Sequence, residues 1–285
     1  MSLQRAVLTP AERLEPAELA AVRALVRAAP GGADQPPISE QGMLGLAGPG
    51  RHLLALADGE VTGYAQLTDG AEPTVELVAA GVEPATELLA GLPPRYRLWA
   101  HGERSVAHLA AVRAGLRPVR TLLQLRATPG AIAAPALPDG VVIRPFEPGA
   151  DDGAWLAVNA RAFAHHPEQG GWTQHDLDQR LAAAWFDPAG FLLAWRGGEL
   201  LGYHWTKVHA EFDPPLGEVY VLGVDPAAQG LRLGSALLAA GLRHLTGRGL
   251  GTVLLYVEQD NATAVHLYEK AGFGRYAVDI QYAAG

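Results

Sequence analysis

The chain has 285 residues, room for two domains of common size, and its 49% hydrophobic and 18% charged content is enough to fill two cores. A net charge of −8 without a basic run argues against extended nucleic-acid binding, and the lack of cysteine excludes disulfides, zinc–thiolate sites and cysteine nucleophiles. No apolar run reaches the ~20 residues that span a bilayer, and Met1–Arg5 leads into a polar, helix-like stretch, so a soluble cytoplasmic protein with no membrane partner is expected.

In the N-terminal half, Arg51–Leu67 reads as a hairpin turning at Asp58-Gly59. A strand follows at Thr74–Val78, then Ala79–Leu89, which carries Glu83 and Glu87. Leu98–Gln124 reads as strand, helix, glycine stop and strand. The segment 127–140, rich in Ala, Pro and Gly and without an amphipathic period, reads as a linker. Beyond it, Phe191–Trp205 is a second hairpin turning at Gly197-Gly198. A slide of 157 residues lays Leu98–Ala100 over Leu255–Val257, Ala107 over Ala264, Ala114–Leu116 over Ala271–Phe273 and Gln124 over Gln281. Two matches in the same order favour an internal duplication of a mixed α/β layer.

The most informative stretch is Gly217–Gly251. Gly217–Val224 alternates as a strand, predicted to set Glu218, Tyr220, Leu222 and Val224 on one face and Val219 and Val221 on the other. Asp225-Pro226 stops it. A short loop to Gly234 then opens a helix whose Leu237, Leu238, Gly241, Leu242 and Leu245 form one face. A glycine-bearing loop at a helix start can hold an anion, because the first N–H groups have no helical partner and the helix dipole adds favourable potential. The same pattern also serves as an ordinary turn.

Downstream lie a strand, Thr252–Glu258, and the segment Asn261–Phe273. With these on the page, Gln229–Gly234 resembles the pyrophosphate loop of the GCN5-related N-acetyltransferases, and Asn261, Ala264, Tyr268 and Gly272-Phe273 resemble that superfamily's last helix. The resemblance implies an α+β (mixed α/β) fold of two tandem domains of this type, each a mixed, largely antiparallel sheet flanked by helices. The divisions are 1–126 for a degenerate N-terminal domain, 127–140 for the linker and 141–285 for a catalytic C-terminal domain. It implies acetyl-CoA as cosubstrate. Leu222, Gly223 and Val224 would meet pantetheine in a gap between strands. Gln229, Gly230, Leu231, Arg232, Leu233, Gly234 and Ser235 would wrap the diphosphate, and Asn261 and Ala264 would line the cleft. One departure is Arg232, where the family loop has glycine: its side chain either crowds the diphosphate or adds a phosphate contact. In the N-terminal half no such loop follows Thr74–Val78, and Glu83 and Glu87 would repel phosphates.

A narrower resemblance covers nearly the whole chain. Ile143–Phe146, Ala154–Asn159, Phe163–Gly170, Trp185–Phe191, His204–His209 and Gly217–Tyr220 look like segments of the mycothiol synthase family, which acetylates the cysteine amine of cysteinyl-glucosaminyl-inositol. That resemblance implies Glu218 as base and Tyr268 as acid, with Glu40, Glu168, Lys207, Glu218 and Tyr256 on the substrate. Simpler readings stand beside these: solvated glutamates at 40 and 168, a surface lysine, a packed strand aromatic at 256. Lys207 and Lys270 are the only lysines in the chain. His165, His166 and His175 invite a metal, but adjacent side chains point apart, and polar histidines satisfied by hydrogen bonds are the better reading. No metal is expected, and a monomer acting on a small-molecule amine is. The rival functions are an acetyltransferase for another amine (aminoglycoside, polyamine or protein N-terminus) and a non-catalytic acetyl-CoA sensor.

Overall fold

The computed structural model describes residues 6–29, 36–130, 135–166 and 169–285. The N-terminal half runs β1 (Val7–Ala11), α1 (Pro16–Ala28), α2 (Glu40–Gly45), β2 (Arg51–Ala57), β3 (Glu60–Leu67), β4 (Thr74–Ala79), α3 (Val82–Ala90), β5 (Tyr96–His101), α4 (Val106–Arg113) and β6 (Arg117–Ala127). Local chemistry sets several boundaries. Pro16 opens α1, where its missing N–H costs nothing. Ser39 and Ser105 cap α2 and α4 by accepting the Gly42 and His108 N–H groups. The β2–β3 turn places Asp58 and Gly59 at φ 51° and 84°, the left-handed pair that matches strand twist.

The C-terminal half runs β7 (Val141–Pro145), α5 (Asp152–Ala162), α6 (Gln174–Leu181), β8 (Phe191–Arg196), β9 (Glu199–His209), β10 (Leu216–Val224), α7 (Leu233–Gly247), β11 (Val253–Glu258), α8 (Ala262–Lys270) and β12 (Gly274–Ala284). Gly197 and Gly198 turn β8 into β9 with φ 56° and 86°, repeating the first hairpin's geometry.

The chain forms two compact units. In the first, strands lie in the order β1-β2-β3-β4-β5-β12-β6. Neighbours are antiparallel from β1 to β4, then β4 and β5 are parallel. Next to β5 comes the last strand of the chain, antiparallel, with Asp279 opposite His101 and Tyr282 opposite Leu98. Tyr276–Gly285 and Glu258–Asp260 therefore belong with the N-terminal residues, and the linear divisions at 126 and 141 do not capture this exchange. On one sheet face Leu77, Leu98 and Tyr282 pack against Leu88 of α3 and Ala110 of α4; on the other Leu54, Tyr64 and Val78 pack against Val22 of α1.

The second unit repeats the pattern in the order β11-β10-β9-β8-β7, with antiparallel pairs from β7 to β10 and one parallel pair, β10–β11. α5, through Trp155, and α6 cover a face built on Phe191, Tyr203 and Trp205; α7, through Leu237, covers the other, with Ala194 and Leu201. Among the described residues no helix is long and apolar enough to cross a membrane.

Candidate active site

Two irregularities in β10 shape the site. The strand pairs with β9 throughout, but with β11 only at Gly217 and Glu218. Beyond Glu218 the two parallel strands diverge, which leaves an open strand edge on β10. The second irregularity is a bulge between Val219 and Val221, where register slips by one against β9. Regular alternation, as expected from the sequence, puts Tyr220, Leu222 and Val224 together. With the extra residue the faces switch: Glu218, Tyr220 and Val221 meet the aromatic side, while Leu222 and Val224 join the α7 side. The cause is the bulge at Tyr220, to which sequence periodicity is blind.

Gly223 follows from this geometry. A Cβ there would lie 2.8 Å from Cε1 of Tyr203, whose hydroxyl donates to Asn159 Oδ1 at 2.5 Å. Its carbonyl side is crowded too, since a Cβ on Gly202 would lie 2.8 Å from the Gly223 oxygen.

After β10, Asp225 is buried and anchors the turn. Its Oδ1 accepts the Ala227 N–H at 2.9 Å and its Oδ2 accepts Arg161 Nε at 2.7 Å. Both bonds hold its carboxyl below the usual carboxylate range, against the opposing effect of burial. The loop then passes exposed Gln229 and Gly230, the latter at φ 84°, and reaches Arg232 at φ 58°, ψ 19°. Arg232 therefore occupies the left-handed position that glycine adopts without a Cβ penalty. The first helical bond of α7 runs from Ala236 N–H to the Arg232 carbonyl at 3.3 Å. The N–H groups of Leu233, Gly234 and Ser235 precede it and lack i−4 carbonyls, as at any helix start. A Cβ on Gly234 would lie 3.5 Å from Leu267, so α8 flanks this helix end.

The aromatic face of β9 and β10 gathers the polar candidates. Lys207 and Glu218 are directly opposite each other and both buried, at 6% and 7% exposure, so Lys207 is not the surface lysine of the simpler reading. The Lys207 ammonium lies 5.1 Å from the Trp185 ring centroid and 5.8 Å from that of Tyr220. Arg180 stacks on Trp172 at 3.7 Å and donates from Nε to the Tyr220 hydroxyl at 3.1 Å. Glu218 Oε2 lies 2.7 Å from Nε2 of His209, which sequence reasoning had not singled out. The available signal was position: His209 follows Lys207 by two in a strand and so shares its face.

The remaining candidates are dispersed. Tyr268, in the second turn of α8, is buried with its ring edge against Phe273, and burial raises its phenol pKa well above the ordinary value. Asn261 caps α8, its Oδ1 accepting the Ala264 N–H at 3.1 Å, so both residues build the helix start. Tyr256 sits on β11 beyond its pairing with β10 and is 44% exposed, not a packed strand aromatic. Glu168 lies outside the described residues. Glu40 opens α2 and is not in a loop; its side chain is likewise outside the description. His166 Nδ1 accepts the Gln169 N–H, while His175 pairs with Gln179. Among the described residues no three His, Asp or Glu groups are arranged to hold a metal.

The first unit offers a contrast. Its β4 and β5 also pair at only three positions, but just Ala80 and Gly81 separate β4 from α3, against eight residues between β10 and α7. Glu83 and Glu87 occupy α3, engaged with Arg113 and the Ala6 N–H. Glu76 of β4 and Asp279 of β12 flank His101 of β5 instead, with the ring Nδ1 3.1 Å from Asp279 Oδ2.

A diverging parallel strand pair, a loop and a helix start carry the mark of the Acetyltransferase (GNAT) family, whose model matches residues 158–273. Solved structures agree on fold. A GCN5-related N-acetyltransferase from Sphaerobacter thermophilus aligns over 97% of this chain and 95% of its own, with TM-score 0.70 and 22% identity. A tandem GNAT protein from the clavulanic acid biosynthesis pathway aligns over 98% of both chains, with TM-score 0.69 and 15% identity. Two such domains in tandem are therefore the architecture. At closer range, the mycothiol acetyltransferase of Streptomyces avermitilis is 52% identical over 94% of this chain and 92% of its own length. The corresponding proteins of Streptomyces coelicolor (52% identical; 98% and 95% covered) and Nocardia farcinica (48%; 96% and 96%) are similar to the same degree. The chain belongs to the mycothiol acetyltransferase family.

Proposed function

We propose that this protein transfers the acetyl group of acetyl-CoA to the cysteine amine of cysteinyl-glucosaminyl-inositol, the last step of mycothiol formation, as a cytoplasmic monomer. The observation that carries the reading is identity of 48–52% to mycothiol acetyltransferases over nearly the full length of each chain. Catalysis is assigned to the second unit, which holds β10, α7 and α8, and the first unit is a degenerate domain.

The residues suit acetyl-CoA. The open edge of β10 at Leu222–Val224 offers backbone groups to an amide-bearing pantetheine arm, as a sheet edge would to another strand. The N–H groups of Leu233, Gly234 and Ser235, with the loop from Gln229, offer donors to a diphosphate. When bound, the cosubstrate supplies a thioester carbonyl carbon open to attack.

The protein's own groups do the rest. An α-amine titrates near ~7.7–8, so part of the acceptor is ammonium at neutral pH and must lose a proton before attack. Glu218, at the mouth of the strand gap, takes that proton. Lys207 and Glu168 hold the acceptor's hydroxyl-rich portion, with Tyr256 on the β11 side. Tyr268 donates to the departing thiolate, and its burial keeps the phenol protonated throughout the working range. The two-residue turn of the first unit leaves no loop for a diphosphate, which supports a single productive acetyl-CoA site.

The test is CoA release from acetyl-CoA with a panel of amines: cysteinyl-glucosaminyl-inositol, glucosaminyl-inositol without cysteine, an aminoglycoside and spermine. The proposal expects turnover with the first alone. Efficient turnover of another amine, or none at all, would replace it with one of the rival readings.

A further inference from the structure

His209 ends β9 with both ring nitrogens engaged by carboxylates. Nε2 lies 2.7 Å from Glu218 Oε2, and Nδ1 lies 2.9 Å from Glu211 Oε1. The ring is largely buried and Phe212 meets it edge-on, centroids 5.8 Å apart. The charged groups facing it are Glu218 from β10, Glu211 from the turn after β9 and Lys207 from β9 itself. A neutral imidazole has one N–H and one lone pair, and the lone pair cannot bond a carboxylate oxygen. Two carboxylates at hydrogen-bond distance therefore require two N–H donors. Burial disfavours the charged ring, but the bond and charge of Glu218, then Glu211, outweigh it, and the imidazolium persists above the usual histidine range although Lys207 opposes it.

We propose that His209 is a positioning residue that clamps the base Glu218 through Oε2, presents Oε1 to the acceptor ammonium, and does so only as an imidazolium. This rests on the reading of Glu218 as the base. In the step it supports, one N–H bond of the ammonium breaks and an O–H bond forms at Oε1. The freed nitrogen lone pair attacks the thioester carbon, and the C–S bond breaks as Tyr268 protonates the departing sulfur. The nitrogen's second proton restores the phenol, and His209 keeps both its protons. When pH rises and the ring loses a proton, Glu218 and Glu211 compete for the one remaining N–H and the hold on Glu218 weakens. The basic limb of the rate profile thus belongs to His209 rather than to Tyr268, whose phenol burial holds protonated.

The experiment is the pH dependence of kcat in the full-length protein for wild type, His209→Gln, Glu211→Gln and Glu218→Gln, with ring ¹⁵N titration of His209. Glutamine at 209 can still donate to Glu218 but does not titrate. His209→Gln should lower kcat by roughly 10- to 100-fold through loss of alignment, leave acetyl-CoA affinity unchanged and abolish the basic limb. Glu211→Gln, at a largely exposed side chain, should keep the fold and move that limb to lower pH together with the ¹⁵N midpoint. A basic limb unmoved in both variants overturns the clamp. The reading beneath it has its own control: Glu218→Gln at wild-type rate removes the base assignment, whereas an inactive Glu218→Gln beside unmoved limbs defeats the clamp alone.

Discussion

Arg232 enters α7 in the left-handed region, at φ 58°. A non-glycine residue in that region costs roughly 1–2 kcal/mol. Arg232→Gly should therefore raise stability by about 1 kcal/mol, while removal of an exposed cation beside the diphosphate loop weakens acetyl-CoA binding several-fold. Thermal unfolding and calorimetry on the same variant check both; an unchanged melting temperature contradicts the strain. Glu218→Gln should cut kcat by about 10²-fold or more, as expected for loss of a general base. Lys207→Ala should raise the acceptor KM and spare acetyl-CoA affinity, and steady-state kinetics in each substrate separate the two effects. Lys207 and Glu218 were both readable as candidates by resemblance, and the rarity of lysine supported the first. Their direct opposition across β9 and β10 required the register. His209 escaped notice because its partner is a register neighbour, not a sequence neighbour.

At the scale of elements, both Gly-turn hairpins, the strand before the loop and the capped last helix were legible from turn chemistry and periodicity. The face assignment in β10 was not. A bulge adds one residue without changing composition, so alternation remained the natural reading while Leu222 and Val224 turned to the α7 side. Gly223 depends on that switch, since it faces Tyr203 only after the bulge. Gly223→Ala should force Tyr203 off its ring position and weaken its bond to Asn159, at a cost of about 1–3 kcal/mol typical of overpacking. Chemical denaturation measures it; a wild-type midpoint contradicts the packing described. The loop lengths separate the two halves more clearly than any single residue: two residues before α3, eight before α7.

Across the whole molecule, the duplication was legible in matched segments, and the structure repeats three antiparallel pairs and one parallel pair in each unit. The placement of β12 was not, because an alternating strand reads the same whichever unit receives it. Its contribution to the first unit is testable. Removal of 276–285 strips Tyr282 from the core and Asp279 from His101, and should destabilise that unit by upwards of about 3 kcal/mol. His101 adds a pH signature. Burial lowers its pKa, but the contact and charge of Asp279 and the nearby charge of Glu76 raise it to about 9 from 6.5. A raised folded value means that the stabilisation is complete below 6.5 and is lost as pH rises toward 9. Unfolding midpoints should fall across that window in wild type and flatten in His101→Asn. In the proposed reaction acetyl goes to nitrogen by way of Glu218, on a substrate that also bears a thiol. Mass analysis of cysteinyl-glucosaminyl-inositol after reaction, before and after hydroxylamine, tests it most directly. One added acetyl that survives hydroxylamine is expected with wild type and almost none with Glu218→Gln. A hydroxylamine-labile thioester product, or full N-acetylation by the variant, would contradict it.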